Sequence, residues 1–342
     1  MAKVLMKGNE AMAEAAIQAG CQSEIPEYFS RELPPRGGLF LQAESEMAAM
    51  NMVMGASAAG GRVMTSTSGP GFCLKLEALA AMTLTRLPAV IVVVMRSGPA
   101  FGTMKAAQED YRMCGNGGYR VVTMAPSDVQ EAASMVYEAF DIADQYRNPV
   151  VILADGMIGQ MMGAVDFDRM PPRRENLPAK DWALRGSDAR GGKAQAILFP
   201  VGTAHYIEKN IAETELYPAL IANETRVESI GVEDADIVLA AYGTASRMCR
   251  AAMETLKGEL KLGLIRPKTL WPFPYEAFEA VNPKCKAIIC PEINIMGQMI
   301  DDVRIAAAGR WPVSHVGDSR TDFLTPDAIV EKVRQVWKEV NA

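Results

Sequence analysis

With 342 residues, 49% of them hydrophobic, and a net charge of −6, the chain can build two compact cores and offers no basic surface for nucleic acid or an anionic membrane. Its most apolar run, Leu87 to Met95, is about half the ~20 residues of a spanning helix, and the opening MAKVLMKGNEA has no signal-peptide core, so a cytoplasmic location is expected. Six scattered cysteines without a C-x-x-C spacing exclude an iron–sulfur or zinc site built from this chain alone and argue against a disulfide framework; most are expected to be buried thiols. The histidines, His205 and His315, stand in no catalytic frame.

In chain order, Lys7 to Gly20 reads as an Ala-rich helix capped by Asn9, and Cys21 leads directly into a second helical run. The stretch Gly38 to Gly71 then reads as a strand (Leu39 to Gln42), a turn bearing Glu44 and Glu46, a helix from about Ser45 to Ala59, a strand (Arg62 to Ser66) and a Gly-Pro-Gly loop. Lys75 to Thr85 is expected to be helical. Leu87 to Met95 has the continuous apolar character of a parallel strand covered on both faces, as does Pro149 to Leu153. Between them lie a flexible loop after Arg96, a strand (Arg120 to Met124) and a helix capped by Ser127.

Residues 166–200 lack hydrophobic periodicity and read as a linker, placed at 166–232 in the domain division, with 1–165 and 233–342 as the flanking domains. The second domain repeats the alternation: strands at Ile237 to Ala241, Leu262 to Ile265, Ala287 to Cys290 and Val313 to Val316, separated by helical runs and closed by a helix from Pro326. The expected fold class is α/β, with two doubly wound domains.

In an open α/β sheet, ligands bind at the carboxyl edge, which is where Glu44 and Glu46 fall. Small neighbours (Ala43, Ser45, Ala48, Ala49) leave room for a planar ring, although an acid in a first helical turn also serves simply to satisfy the helix terminus. Thr65 to Gly71, with four hydroxyls and two glycines, can line a polar pocket or form an ordinary turn. Arg96, leaving a buried strand, suits bidentate pairing with a carboxylate.

The ordered set GNEA, QAESEMAAMNMVMGASAAGGRVMTSTSGPG, VVVMRSGPAFG, QEDY, YRNPVVILADGMIGQMM, KDWALRG, VLAAYGTASR, LIRPKTLWPFP and MGQMIDDVR resembles the α subunit of the 2-oxoacid:ferredoxin oxidoreductases, in particular the branched-chain type acting on 2-oxoisovalerate. The resemblance spans nearly the whole chain. It implies a thiamine diphosphate pyrimidine-binding domain followed by a transketolase C-terminal-like domain, and oxidative decarboxylation of a 2-oxoacid to its acyl-CoA with electrons passed to ferredoxin. Glu46 matches the carboxylate that hydrogen-bonds N1′ of the aminopyrimidine, favouring the tautomer that deprotonates the thiazolium. Arg96 matches an arginine beside the substrate carboxylate. Thr67, Ser68 and Gly69 match the cofactor-binding run, and Glu44 is left as structural.

The same resemblance puts the diphosphate site on a β subunit and expects magnesium and 4Fe-4S clusters on partner chains, among them γ and ferredoxin-like δ subunits; coenzyme A joins the 2-oxoacid as substrate. Ala154-Asp155-Gly156 is like the start of a diphosphate–magnesium motif, but its needed Asn has no counterpart other than Asn176 in the Pro-rich linker, so no metal site is expected there. Tyr242 to Ser246 reads as a plain βα turn, Arg266 to Pro274 as a packing corner, and Trp182 as a linker anchor. The Met47, Met50, Met52 and Met54 stripe suits an apolar substrate side chain or core packing. The likeness breaks where the family's Tyr-Pro-Ile-Thr-Pro segment is missing between Cys21 and Gln22, and again near Gly115 to Gly118. The remaining alternatives are a non-catalytic α/β scaffold or regulatory subunit, or a 2-oxoglutarate- or pyruvate-type homologue.

Overall fold

The β-branched runs VIVVVM and VVILAD become adjacent parallel strands, each residue of one facing its counterpart in the other from Val90↔Val150 to Met95↔Asp155. Strand alternation sends Ile91, Val93 and Met95 into one apolar cluster and Val90 and Val92 into another, which is why both faces of this run are hydrophobic. The computed structural model describes residues 3–19, 26–98, 103, 105–114, 117–193, 195–319 and 323–342; the Cys21–Gln22 junction, Pro99 to Gly102, Gly115 and Asn116 lie outside the described residues.

From the N-terminus come β1 (Val4–Lys7), α1 (Gly8–Gln18), α2 (Pro26–Glu32), α3 (Glu46–Ala58), β2 (Met64–Thr67), α4 (Gly69–Leu84), β3 (Val90–Met95), β4 (Val122–Met124), α5 (Val129–Tyr146), β5 (Val150–Asp155), α6 (Gly156–Gln160) and β6 (Met162–Val165). There follow α7 (Thr203–Ile211), α8 (Tyr217–Glu224), β7 (Val227–Ile230), β8 (Ile237–Ala240), α9 (Gly243–Thr255), β9 (Leu262–Pro267), β10 (Thr269–Trp271), β11 (Ala287–Glu292), α10 (Ile300–Ala307), β12 (Val313–Gly317) and α11 (Pro326–Asn341). Among the described residues the strands form one sheet ordered β10-β4-β5-β3-β2, a second ordered β12-β11-β8-β9-β7, and a ribbon of β1 with β6. Both sheets are parallel except for one antiparallel edge strand each, β10 and β7. This is the expected α/β class with two wound sheets.

The two halves are tied together more tightly than a linker view implies. β10 leaves the second half and pairs antiparallel with β4 of the first sheet, so the Arg266 to Pro274 run is indeed a packing corner. Just before it, the buried Arg266 guanidinium donates to both Glu131 oxygens at 2.7 and 2.9 Å and to Glu228 at 2.7 Å. Burial alone would raise the Glu131 carboxyl; Arg266 outweighs it and holds the group at about 2. One apolar cluster runs through both halves, from Met50 and Phe72 to Tyr242 and Phe273.

Several local expectations are overturned. Leu39 to Gln42 is not a strand: among the described residues no strand lies beside it to take its backbone hydrogen bonds, and Leu39 and Leu41 are exposed. Gly69-Pro70-Gly71 is the first turn of α4 rather than a loop, with Pro at a position whose missing N–H costs nothing. α1 follows Lys7 directly, and the α5 cap is Asp128, whose side chain accepts from Glu131 N, while Ser127 donates to the Glu131 carboxylate. Tyr275–Ala280 is a 3₁₀ helix.

The span 166–232 also contains α7, α8 and β7, and β7 pairs with β9, so the second sheet begins before residue 233. Its irregular part is pinned rather than free: Arg173 pairs with Asp141, Lys180 with Asp144 and Arg174 with Glu224. Trp182 is half-buried under the Arg147 guanidinium, and Leu184 N donates to Ala58 O. Cys114, Cys249, Cys285 and Cys290 are buried thiols, whereas Cys73 is exposed. No described helix is long and apolar enough to cross a membrane.

Candidate functional site

The N-terminus of α4 is the hub on which the sequence candidates converge. β2 ends at Thr67, Ser68 occupies the N-cap position with extended backbone, and Gly69, Pro70 and Gly71 begin the helix. The sixteen-residue helix thus points its positive end at the carboxyl edge of the first sheet.

Glu46 is the first residue of α3, whose cap Ser45 accepts from Ala48 N at 3.2 Å. That cap already serves the helix terminus, and the half-buried Glu46 side chain lies against the first turn of α4. A Cβ placed on Gly71 would lie 2.7 Å from both Cγ and Oε1 of Glu46 and would also strike Thr67 Oγ1. Only glycine lets α4 approach this closely. Glu46 faces a cavity of about 240 Å³ that also meets Gln42, Ser45, Ala49, Ser66 and Lys75. A larger groove of about 770 Å³ elsewhere, near Arg86, Trp182 and Leu198, does not reach this edge.

Arg96 leaves the end of β3 half-buried, its Nε 3.4 Å from Ser68 Oγ and its Nη1 donating to Thr103 O at 3.3 Å. Thr67 Oγ1 donates to Ser68 O at 3.1 Å. The fold therefore gathers Glu46, Thr67, Ser68, Gly69 and Arg96 in one arc around the first turn of α4. Glu44 is exposed and outside that arc, although it borders the cavity. Of the methionines, Met50 is buried in the core while Met47 and Met52 are exposed.

Two groups at this edge were not singled out from the sequence. Lys75 is 1% exposed, borders the Glu46 cavity and donates to Thr65 Oγ1 at 2.7 Å. Its only signal is a lysine set among the apolar residues of α4. Asp110, the acid within QEDY, is buried against Gly69: a Cβ there would lie 2.7 and 2.9 Å from its two carboxylate oxygens. Its Oδ2 has no hydrogen-bond partner among the described residues.

The two motifs given little weight from sequence turn out to satisfy each other. Asp155 is buried and accepts from Thr244 N at 2.8 Å, Thr244 Oγ1 at 2.7 Å and Ile158 N at 3.2 Å. Burial raises its carboxyl, and the Thr244 bonds pull against this. The Tyr242 to Ser246 turn does receive an anion at the start of α9, and that anion is the Asp155 carboxylate of the other half. Beside it, Gln108 donates to Tyr242 O and accepts from Ile293 N, so the strand ends of both sheets are laced together. In the second sheet, Glu292 is likewise spent internally, accepting from the amides of Gln298, Met299 and Ile300 at the start of α10.

Residues 21–186 match the family "Pyruvate flavodoxin/ferredoxin oxidoreductase, thiamine diP-bdg" and residues 235–328 match "Pyruvate:ferredoxin oxidoreductase core domain II". The ketoisovalerate oxidoreductase subunit VorB of Methanothermobacter marburgensis is 40% identical over the full length of both chains. A solved 2-oxoglutarate:ferredoxin oxidoreductase from Magnetococcus marinus, with 2-oxoglutarate, coenzyme A and succinyl-CoA bound, aligns at 25% identity and a TM-score of 0.82 over 98% of this chain and 65% of that one. A split-gene transketolase shares the fold alone, at 14% identity and a TM-score of 0.60 over 97% and 98% of the two chains. With these matches over residues 21–186 and 235–328 and a full-length relative at 40% identity, the chain belongs to the 2-oxoacid:ferredoxin oxidoreductase family, as one subunit of such an oxidoreductase.

Proposed function

We propose that this chain supplies the pyrimidine-holding face of a thiamine diphosphate site in a cytoplasmic heteromeric enzyme that converts a branched-chain 2-oxoacid to its acyl-CoA, with electrons leaving to ferredoxin. The observation that carries this reading is the Glu46 carboxylate, freed from capping by Ser45 and set against Gly71 at the mouth of the cavity. An acceptor carboxylate, hydroxyl neighbours and small walls such as Ala43 and Ala49 fit a flat ring with a polar edge. When bound, thiamine diphosphate supplies the carbon nucleophile and the electron sink for decarboxylation.

The chain's own residues then have distinct tasks. Glu46 would hold the proton at the pyrimidine ring edge, Thr67, Ser68 and Gly69 line the approach, and Arg96 orients the substrate carboxylate through the paired N–H donors of its planar guanidinium. The Asp155 carboxylate is taken up by Thr244. The resemblance to the family's α subunit is what supports placing the diphosphate, its magnesium and the 4Fe-4S clusters on β, γ and δ partners. Exposed apolar side chains near the cavity, Leu39, Leu41, Met47, Met52 and Leu74, are the kind of surface a partner subunit covers.

The branched-chain assignment rests on the likeness to the ketoisovalerate enzyme's subunit. Steady-state rates of the complex reconstituted with its partners and an artificial electron acceptor test it. Branched-chain 2-oxoacids are expected to exceed 2-oxoglutarate and pyruvate in kcat/KM by at least about tenfold, the effect of a few apolar contacts. Equal or better turnover of 2-oxoglutarate contradicts the assignment.

A further inference from the structure

Arg96 and Asp318 stand at matching places in the two halves: Arg96 follows β3 at the carboxyl edge of the first sheet, and Asp318 follows β12 at the carboxyl edge of the second. A continuous set of bonds joins them. Arg96 forms an antiparallel bridge with Ala106, Ser97 N donates to Lys105 O at 2.8 Å, and Thr103 N donates to Ser97 O at 2.9 Å. Thr103 O accepts from Arg96 Nη1 at 3.3 Å, and Thr103 Oγ1 accepts from Lys105 N at 3.3 Å. Arg96 therefore takes its backbone register, and one of its guanidinium bonds, from Thr103, Lys105 and Ala106.

The second half holds those residues in turn. Lys105 Nζ donates to Asp318 Oδ2 at 2.6 Å, the two side chains being 28% and 5% exposed, and lies 3.7 Å from the centre of the Phe323 ring. Asp318 is itself fixed, since its N–H donates to Asn294 O at 3.0 Å and its Oδ1 accepts from Leu324 N at 2.8 Å. A partly buried ion pair gains little net stability, because desolvation offsets much of the attraction. Its consequence here is positional. Glu109 adds a second tie on the same side: its carboxylate accepts from Gly98 N at 2.5 Å and its carbonyl from Gln298 Nε2 at 2.7 Å.

We propose that Lys105 and Asp318 are positioning residues for the 2-oxoacid: through this pair the second half sets the place of Arg96, and with it the place of the substrate carboxylate. The inference rests on the reading of Arg96 as that carboxylate's partner. Paired recognition by a planar guanidinium tolerates little displacement, and a shift of about 1 Å in a positioning group can cost up to about 10²-fold in rate. The second half, in which none of the candidate cofactor or substrate residues lies, thereby takes a part in substrate binding.

The test is steady-state kinetics of the reconstituted complex with an artificial electron acceptor. Lys105→Met should raise KM for 3-methyl-2-oxobutanoate about fivefold or more, while KM for coenzyme A and the half-saturating concentration of thiamine diphosphate stay within about twofold. A KM for the 2-oxoacid within about twofold of the wild type overturns the proposal, and so does a parallel rise in all three, which is general loosening. Lys105→Arg keeps a cation opposite Asp318 and should bring KM back toward the wild type. Asp318→Asn keeps an acceptor for Leu324 N and removes the charge, so it should repeat the rise, and it carries the test if Lys105→Met fails to assemble; an unchanged KM in that variant overturns the proposal. In an Arg96→Ala background Lys105→Met should alter KM no further, because its effect passes through Arg96. An equal rise in both backgrounds overturns the proposal. Arg96→Ala alone separates the underlying reading. If it leaves KM for the 2-oxoacid unaltered, the Arg96 assignment itself fails; if it raises KM while Lys105→Met and Asp318→Asn do not, only the role of the pair fails.

Discussion

Glu46→Gln is expected to lower kcat for 2-oxoacid oxidation by the assembled enzyme about 10²–10⁴-fold, the range for removing a positioned proton-transfer group, with KM and subunit assembly changed by less than about threefold. The amide is nearly isosteric, so the contact with Gly71 and the α3 geometry survive. The helix keeps its cap, since Ser45 rather than Glu46 accepts from Ala48 N. Loss of a first-turn acid costs only about 0.3–1 kcal/mol of helix-dipole interaction. What the amide cannot do is hold a proton as a carboxylate does. Glu44→Gln, on an exposed neighbour outside the arc, should leave kcat within about twofold. Undiminished turnover by Glu46→Gln contradicts the catalytic assignment and favours a scaffold role.

Asp155→Ala should have the largest effect on stability, because one carboxylate satisfies groups from both halves of the molecule. Its removal leaves Thr244 N, Thr244 Oγ1 and Ile158 N without their acceptor in a buried place. With each orphaned donor worth about 1–3 kcal/mol, and part of that offset by relief of the buried charge, a loss of about 3 kcal/mol is expected in the urea midpoint multiplied by the m-value. Asp155→Asn should cost less, since the amide oxygen still accepts. A change below about 1 kcal/mol for Asp155→Ala would show that the Asp155–Thr244 contact does not join the halves.

The architecture was legible where the pattern was local. Runs such as VIVVVM and VVILAD carry the buried parallel strand in their composition, because both faces must be apolar when helices cover both. Glu46 was reachable because a helix start after a turn is visible in sequence, and the resemblance then separated it from Glu44. Leu39 to Gln42 misled because a short apolar run says nothing of whether a neighbouring strand exists to accept its amides. β10 shows the same limit from the other side: Thr269–Trp271 is three residues, and its place in the first sheet depends on pairing with β4 about 145 positions earlier.

The site was only half legible for the same reason. Asp155 and the Tyr242 to Ser246 turn each resembled a ligand site, yet each is the other's ligand, a pairing across 89 positions that neither motif announces. Lys75 and Asp110 carry no spacing signature. Their significance lies in burial at the sheet edge, beside Thr65 in one case and Gly69 in the other.

The central claim is that the Glu46 face of this chain meets the pyrimidine of thiamine diphosphate while a partner subunit holds the diphosphate. A structure of the reconstituted complex saturated with thiamine diphosphate and magnesium tests it directly. The account predicts a Glu46 carboxylate oxygen within hydrogen-bond distance of N1′, about 2.6–3.0 Å, with the diphosphate and its metal ligated by the partner. A pyrimidine ring seated away from Glu46, or a diphosphate held by residues of this chain, would contradict it.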